Sequence, residues 1–255
     1  MRTLIVTAVE AEAGAVRKGL TGCDVQAVGV GPAVAAAATA RLLTLAEAGG
    51  NAYSRVVSMG IAGGFPGAVP VGGLVVATRS VFADLGAQSA DGFLTIDELG
   101  FGSGVSLVDG DLDLPGAVRG AILTVATVTG TAERAAELRR LWPDAVAEGM
   151  EGAGVAAAAA ACGLPFAEIR TISNPVGPRD RAAWRIGEAL AALTDAAAAF
   201  GDNVAGERLR EPPGVQSAGE RLREPPGVQS AGERLREPPG VQSAGERSRE
   251  QSGAS

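Results

Sequence analysis

The 255-residue chain contains no histidine. That absence removes imidazole general bases, histidine triads and most zinc sites in one step. There is one lysine, Lys18, so any Schiff-base chemistry would rest on that side chain alone. Cysteine is reduced to Cys23 and Cys162, far apart and outside any CxxC spacing. They read as small apolar residues in a reducing compartment, and a cytoplasmic location is expected. Aromatics make up only 4% of a chain that is 46% hydrophobic, so the core must be built from Ala, Val, Leu and Ile. No apolar run reaches the ~18 residues of a membrane span. The opening run Met1–Val9 stops at Glu10, too soon for a secretory core with a cleavage site. No membrane partner is expected.

The formal net charge is −7. From Ala205 onward the chain holds eight acidic and eight basic residues, so the first 204 residues carry the whole imbalance. An acidic domain repels phosphate backbones, which argues against a nucleic-acid partner.

Two regions differ in kind. Up to about residue 200, short β-branched runs alternate with Ala-rich helical runs. Strands are expected at Thr3–Val9, Val25–Val30, Val56–Met59, Gly73–Ala83, Ile122–Val128 and Phe166–Ser173, with a short extended piece at Ala147–Glu148. Helices are expected at Glu10–Gly19, Ala33–Ala48, Ala132–Leu141, Glu151–Cys162 and Ala182–Phe200. This alternation implies a largely parallel sheet covered on both faces. Beyond it, Ala-Gly-Glu-Arg-Leu-Arg-Glu-Pro-Pro-Gly-Val-Gln-Ser repeats at 205–217, 218–230 and 231–243, and a degenerate copy starts at Ala244. Each unit has one Leu, one Val and a Pro-Pro-Gly breaker. It lacks the apolar surface to offset the entropy of ordering, so residues 205–255 are expected to be a disordered tail on a 1–204 domain.

In a parallel α/β sheet, ligands bind where strands end. Five strand ends carry unusual residues. Glu10 and Glu12 follow the first strand, where carboxylates also favour a helix N-terminus through its dipole. Gly29-Val-Gly31-Pro32 is a GxG turn without the third glycine of a dinucleotide fingerprint, since Val34 stands there. Gly60-Ile61-Ala62-Gly63-Gly64 would let a ligand approach the backbone closely, or form a tight turn. Glu148-Gly149-Met150-Glu151-Gly152 opens an Ala-rich helix; Met150 is equally suited to a core and Glu151 to a first turn. Arg170-Thr-Ile-Ser173-Asn174-Pro175 ends an apolar strand with a common turn former. Asp109-Gly-Asp111-Leu-Asp113 imitates a calcium loop, but Gly120 stands where the twelfth-position Glu would be.

Together and in this order, the acidic pair, GxG, GxAGG, MEG and Arg-x-Ile-Ser-Asn resemble the nucleoside phosphorylase/nucleosidase superfamily over roughly residues 1–200. The likeness is to its hydrolase branch, the 5′-methylthioadenosine/S-adenosylhomocysteine nucleosidases and the futalosine hydrolases, and most to the latter. The resemblance implies a three-layer αβα domain with a central mixed, largely parallel sheet. It also implies a nucleoside substrate with water, no cofactor and no metal. A homodimer or higher homo-oligomer is implied too, with the neighbouring chain contacting Phe82–Phe93. It assigns Glu12 to the attacking water, Met150 and Glu151 to the ribose, Ile61, Ala62 and Gly63 to the substrate, and Ser173 and Asn174 to the purine. Arg179, Arg181 and Trp184 lie just after Asn174 and before the last helix, and one of them is expected to line the pocket for the group at the ribose 5′ end.

The departures from the superfamily pattern carry information. Phosphorylases place an arginine and a serine where this chain has Ser58 and Ile61. Without those donors a phosphate would be poorly held, so water is the expected nucleophile. Adenine-specific enzymes place Asp where this chain has Asn174. An amide can donate to O6 of a 6-oxopurine, whereas a carboxylate would set acceptor against acceptor. Asn174 therefore argues for hypoxanthine or guanine over adenine, and the resemblance implies release of hypoxanthine from futalosine, in menaquinone biosynthesis. The competing readings are an adenine-thioether nucleosidase, an inosine/guanosine phosphorylase, a non-catalytic nucleoside-binding module and a dinucleotide-dependent dehydrogenase. After Gly130, Thr131-Ala-Glu133-Arg134 supplies no aromatic to stack on the base.

Overall fold

In the computed structural model, which describes residues 2–108 and 112–210, the first strand β1 (Thr3–Thr7) is buried from end to end. An uninterrupted apolar run is what a strand covered on both faces requires. Leu4 and Val6 point to one side and Ile5 to the other, following the two-residue period of a strand. Helices α1 (Glu10–Gly19) and α5 (Ile186–Arg210) cover the Ile5 side, with Val16, Leu193, Ala197 and Phe200 in that core. Helices α2 (Pro32–Ala48) and α4 (Gly152–Ala161) cover the Leu4 side, with Ala35, Leu43, Val155 and Ala159. The three-layer expectation holds.

The alanines let these layers approach closely. On α4, a Cβ at Gly154 would lie 2.1 Å from the Pro32 carbonyl oxygen, so this glycine seats α4 directly on the first turn of α2. Pro32 itself stands at N1, where its missing N–H costs nothing. Cys23 and Cys162 pack against these two different clusters, which explains why they do not pair.

The remaining strands are β2 (Asp24–Ala27), β3 (Arg55–Gly64), β4 (Leu74–Phe82), β5 (Gly86–Ser89), β6 (Gly92–Thr95), β7 (Val105–Leu107), β8 (Val118–Thr124), β9 (Ala145–Gly149) and β10 (Phe166–Pro175). Helix α3 (Ala132–Leu141) lies between β8 and β9. β2 and β3 flank β1 in parallel. β3 then forks. It pairs in parallel with β10 from Val56 to Gly64, and its last two residues, Gly63 and Gly64, also pair antiparallel with Glu148 and Ala147 of β9. Because β10 continues through β4 and β8 to β9, five strands close into a ring at this fork. The sheet is mixed, with parallel pairings in the majority.

Several boundaries differ from those expected. Gly60–Gly64 is strand, because β10 and β9 supply ladder partners that the glycines alone would not hold. The strand expected at Ile122–Val128 sits four residues earlier, in register with β4. The β5–β6 hairpin and β7 lie in polar, glycine-rich sequence with no strand pattern. The last helix starts four residues late, after a 3₁₀ turn at Arg181–Ala183 capped by Asp180. It also runs ten residues past Phe200 into the first repeat unit, whose Ala205–Arg210 holds one glycine but no proline before Pro212. The rest of the repeats, and residues 109–111 of the calcium-like loop, lie outside the described residues.

Candidate active site

The fork in β3 gathers the strand ends singled out above. Glu12 is buried at the third position of α1. Its Oε2 accepts the Ala8 and Val9 N–H groups at 2.9 and 3.1 Å, and its Oε1 accepts the Ile61 N–H at 2.8 Å. The carboxylate is thus a helix cap and a bridge to β3 at once. Three of its roughly four acceptor directions are taken, leaving one on the β3 side.

Glu151, the N-cap residue of α4, is also buried. Its Oε1 accepts the Gly31 N–H at 3.2 Å. The GxG turn therefore serves a protein carboxylate, not a phosphate. Gly31 has φ +90, a conformation open to glycine.

Between these two carboxylates lies a residue whose role the sequence reading left unassigned. Arg170 of β10 is 1% exposed. Its Nε donates to Glu168 Oε1 at 3.0 Å, its Nη2 donates to Ser58 Oγ at 3.1 Å, and its Nη1 lies 3.7 Å from Glu151 Oε2. Burial works to lower the Arg170 pKa, but the carboxylates of Glu168, Glu151 and Glu12 hold it above the ordinary value. Burial pushes the Glu168 carboxyl up, against the pull of Arg170. Ser58 is thus occupied as an acceptor for this cation. A Cβ at Gly60 would come within 2.7 Å of both Arg170 Nη1 and Glu12 Oε1, so the strand passes this cluster only as glycine. The signal was present in Phe166-Ala-Glu-Ile-Arg-Thr-Ile-Ser173: opposite charges two residues apart share one face of a buried strand, where charges are tolerated only in pairs.

A second group lies across the fork. Asn174 pairs with Gly63 on one side and Glu148 pairs with Gly63 on the other, so carboxamide, glycine and carboxylate stand in one row over three strands. All three line a cleft with Val128, Thr129, Pro175, Val176, Arg179 and Trp184. Ser173 Oγ donates to Asn174 Oδ1 at 2.8 Å, with the Ala62 carbonyl a second acceptor at 3.2 Å. Asn174 Nδ2 donates to the Pro175 carbonyl at 3.0 Å, leaving one amide N–H for a ligand. Glu148 Oε1 and Oε2 accept the N–H and hydroxyl of Thr129 at 2.8 and 2.5 Å. Burial pushes the Glu148 carboxyl above the usual range, against those two hydrogen bonds.

Glu12, Glu151 and Ile61 therefore meet at one part of the fork, and Gly63, Asn174 and Trp184 at another. Ser173 and Ala62 join the two from behind. Met150 is half-buried between Gly149 and Glu151. Trp184 stands in the same cleft wall as Asn174, with the Arg179 and Arg181 guanidinium carbons 5.4 and 5.9 Å from its ring centre. Among the described residues no cluster of His, Cys, Asp or Glu could hold a metal ion, and no helix is long and apolar enough to cross a membrane.

A phosphorylase superfamily model matches residues 7–205. The chain is 54% identical over 219 residues to futalosine hydrolase from Streptomyces coelicolor, spanning 77% of this chain and 93% of the relative. It is 44% identical to futalosine hydrolase from Acidothermus cellulolyticus, over 79% of this chain and 91% of that one. The chain belongs to the phosphorylase superfamily and, within it, to the futalosine hydrolases. The fold agrees. A 5′-methylthioadenosine/S-adenosylhomocysteine nucleosidase from Colwellia psychrerythraea, solved with adenine, superposes with a TM-score of 0.67 at 25% identity, covering 81% of this chain and 95% of that chain. The corresponding nucleosidase from Neisseria meningitidis, in complex with methylthio-immucillin-A, gives 0.65 at 20% identity, covering 81% and 100%.

Proposed function

We propose that this family member hydrolyses the N-ribosidic bond of futalosine, releasing hypoxanthine and dehypoxanthinylfutalosine. The observation that carries this reading is the 54% identity to a futalosine hydrolase over 93% of its length. Asn174 at the cleft agrees with it, because its spare amide N–H suits O6 of a 6-oxopurine.

The bond breaks through an oxocarbenium-like transition state. Glu12 accepts a proton from the attacking water on its remaining lone pair. Its three backbone donors hold it in one position, so little reorganisation accompanies the reaction. Glu151 accepts the ribose hydroxyls, Met150 packs beneath the sugar, and Ile61, Ala62 and Gly63 present backbone to the substrate. Asn174, oriented by Ser173, stabilises the charge that grows on the departing hypoxanthine, which takes its proton from solvent. Trp184 forms the outer wall of the purine cleft, and the Arg179 guanidinium against it offers positive charge to the carboxylated 5′ group.

The enzyme acts in the cytoplasm, in menaquinone biosynthesis, as a homodimer. Exposed Val9, Val30 and Val34 beside Glu12 and Gly31, and Leu85 and Leu94 around the β5–β6 hairpin, are the apolar surface a second copy would cover. Sedimentation of the purified chain tests this; a monomer at micromolar concentration would refute it.

The 5′-methylthioadenosine nucleosidase reading draws on the adenine-bound structural relative, but Asn174 disfavours it. Purine release from futalosine, inosine and 5′-methylthioadenosine, each with and without phosphate, separates the readings. Hypoxanthine from futalosine, independent of phosphate, is expected. Adenine from methylthioadenosine would overturn the specificity, and phosphate-dependent turnover would overturn the hydrolase.

A further inference from the structure

Glu148 is a buried titratable group that the mechanism above leaves without a part. It is 6% exposed, and it lines the cleft in the same cross-strand row as Asn174, with Gly63 between them. β10 carries a bulge just before Asn174, yet Asn174, Gly63 and Glu148 line one cleft, and each strand step is about 4.8 Å. The carboxylate and the carboxamide therefore rise about 10 Å apart at the backbone on either side of a residue without a side chain. A Cβ at Gly63 would lie 3.3 Å from Asn174 Nδ2 and 2.9 Å from Val176 Cγ2, filling the gap from below. The missing side chain at Gly63 leaves space between the carboxylate and the carboxamide for a ligand.

We propose that Glu148 is a specificity-determining residue of the purine site, accepting the N1–H of the 6-oxopurine while Asn174 donates to the O6 side. A 6-oxopurine presents a donor at N1 next to an acceptor at O6, whereas a 6-aminopurine presents an acceptor at N1 next to a donor. The pair Glu148 and Asn174 matches the first pattern and opposes the second. Thr129 fixes the Glu148 carboxylate through one hydrogen bond to each oxygen, and each oxygen keeps a second lone pair. Two separate side chains thus read two adjacent atoms of the base, and the discrimination that the sequence places on Asn174 alone is divided between them. This inference rests on the nucleosidase reading and adds a residue to its site.

The test compares kcat/KM for futalosine and for its 6-amino analogue in the wild-type chain and in Glu148→Gln. Glutamine keeps an acceptor for Thr129 but turns an NH₂ toward N1. The ratio of kcat/KM for the 6-oxo over the 6-amino substrate should fall about 10- to 100-fold, from a mispaired polar contact in a desolvated site. A fall of the same factor on both substrates, with the ratio unchanged, would show that Glu148 only supports the Thr129 loop and would overturn the inference. Competitive inhibition of the wild-type chain gives a second readout that needs no variant. Hypoxanthine should inhibit at least about tenfold better than 1-methylhypoxanthine, which lacks the N1–H; equal inhibition would overturn the inference. Failure of the wild-type chain to release hypoxanthine from futalosine would instead overturn the function proposed above.

Discussion

Arg170→Met puts the buried charge cluster to a quantitative test. Arg170 is fully enclosed, and its hydrogen-bonded partner Glu168 is 0% exposed. Removing the cation leaves Glu168 desolvated and unpaired, and breaking a buried pair from one side costs about 3–5 kcal/mol. That is a fifth or more of the ~5–15 kcal/mol that holds a typical domain. At about 2–4 °C per kcal/mol for a domain of this size, the melting temperature should fall by about 6–20 °C. The companion variant Arg170→Met/Glu168→Leu replaces both charges with apolar volume and should return to within ~1 kcal/mol of wild type. Glu12 and Glu151 still lack their shared cation in that chain, so kcat/KM on futalosine should stay at least about tenfold down. Urea unfolding and steady-state kinetics on the three proteins give both quantities. A single-variant loss below about 1 kcal/mol would refute the claim of a desolvated pair. Full activity in the double variant would show that Arg170 serves only Glu168.

Three further outcomes are expected. Glu12→Gln should lower kcat on futalosine by about 10²- to 10⁴-fold, and a loss under tenfold would remove Glu12 as the general base; because the new NH₂ faces backbone N–H donors, a melting curve must accompany the kinetics. Asn174→Asp should shift preference toward 6-aminopurine nucleosides by about 10- to 100-fold in relative kcat/KM, and an unchanged ratio would free Asn174 of that role. Gly152→Ala should destabilise by about 1–3 kcal/mol in urea unfolding, since its Cβ would lie 2.1 and 2.3 Å from the two Glu168 carboxylate oxygens, which Arg170 holds in place; a neutral result would mean that α4 moves freely at its first turn.

What was legible in the sequence was local. The buried run Thr3–Thr7, the Ala-rich helices and the order of the five strand-end motifs all follow from periodicity and composition within a few residues. What was hidden depends on pairing between distant segments. Gly60–Gly64 reads as a loop because glycine has no strand preference; only β10, over a hundred residues later, and β9 make it a strand. The same fork turns Glu148 from one acid in a Glu-Gly-Met-Glu stretch into the opposite wall from Asn174. Arg170 was visible as a letter of the Arg-x-Ile-Ser-Asn motif. Its partner Glu168 follows from the two-residue spacing on β10, but Ser58 of β3 and Glu151 at the start of α4 are joined to it by no spacing rule.

In Glu12 a structural role and the proposed catalytic one coincide. A carboxylate in the first turn of α1 suits the helix dipole, and the Ala8 and Val9 N–H groups bind it there. The same bonds leave its Oε1 turned toward β3, where Ile61 N–H fixes it beside the Arg170 guanidinium. Capping therefore also fixes the orientation of this carboxylate, and preorganisation of this kind is what the general-base role proposed for Glu12 needs. The arrangement is tightest at Gly60, where a methyl group would sit 2.7 Å from both Glu12 and Arg170. The ring closure that brings β9 and β10 onto β3 thus does two things with one strand. At Gly60 it makes room for the Glu12 and Arg170 charges, and three residues later, at Gly63, it keeps open the space beside Asn174, where the proposed function puts the base.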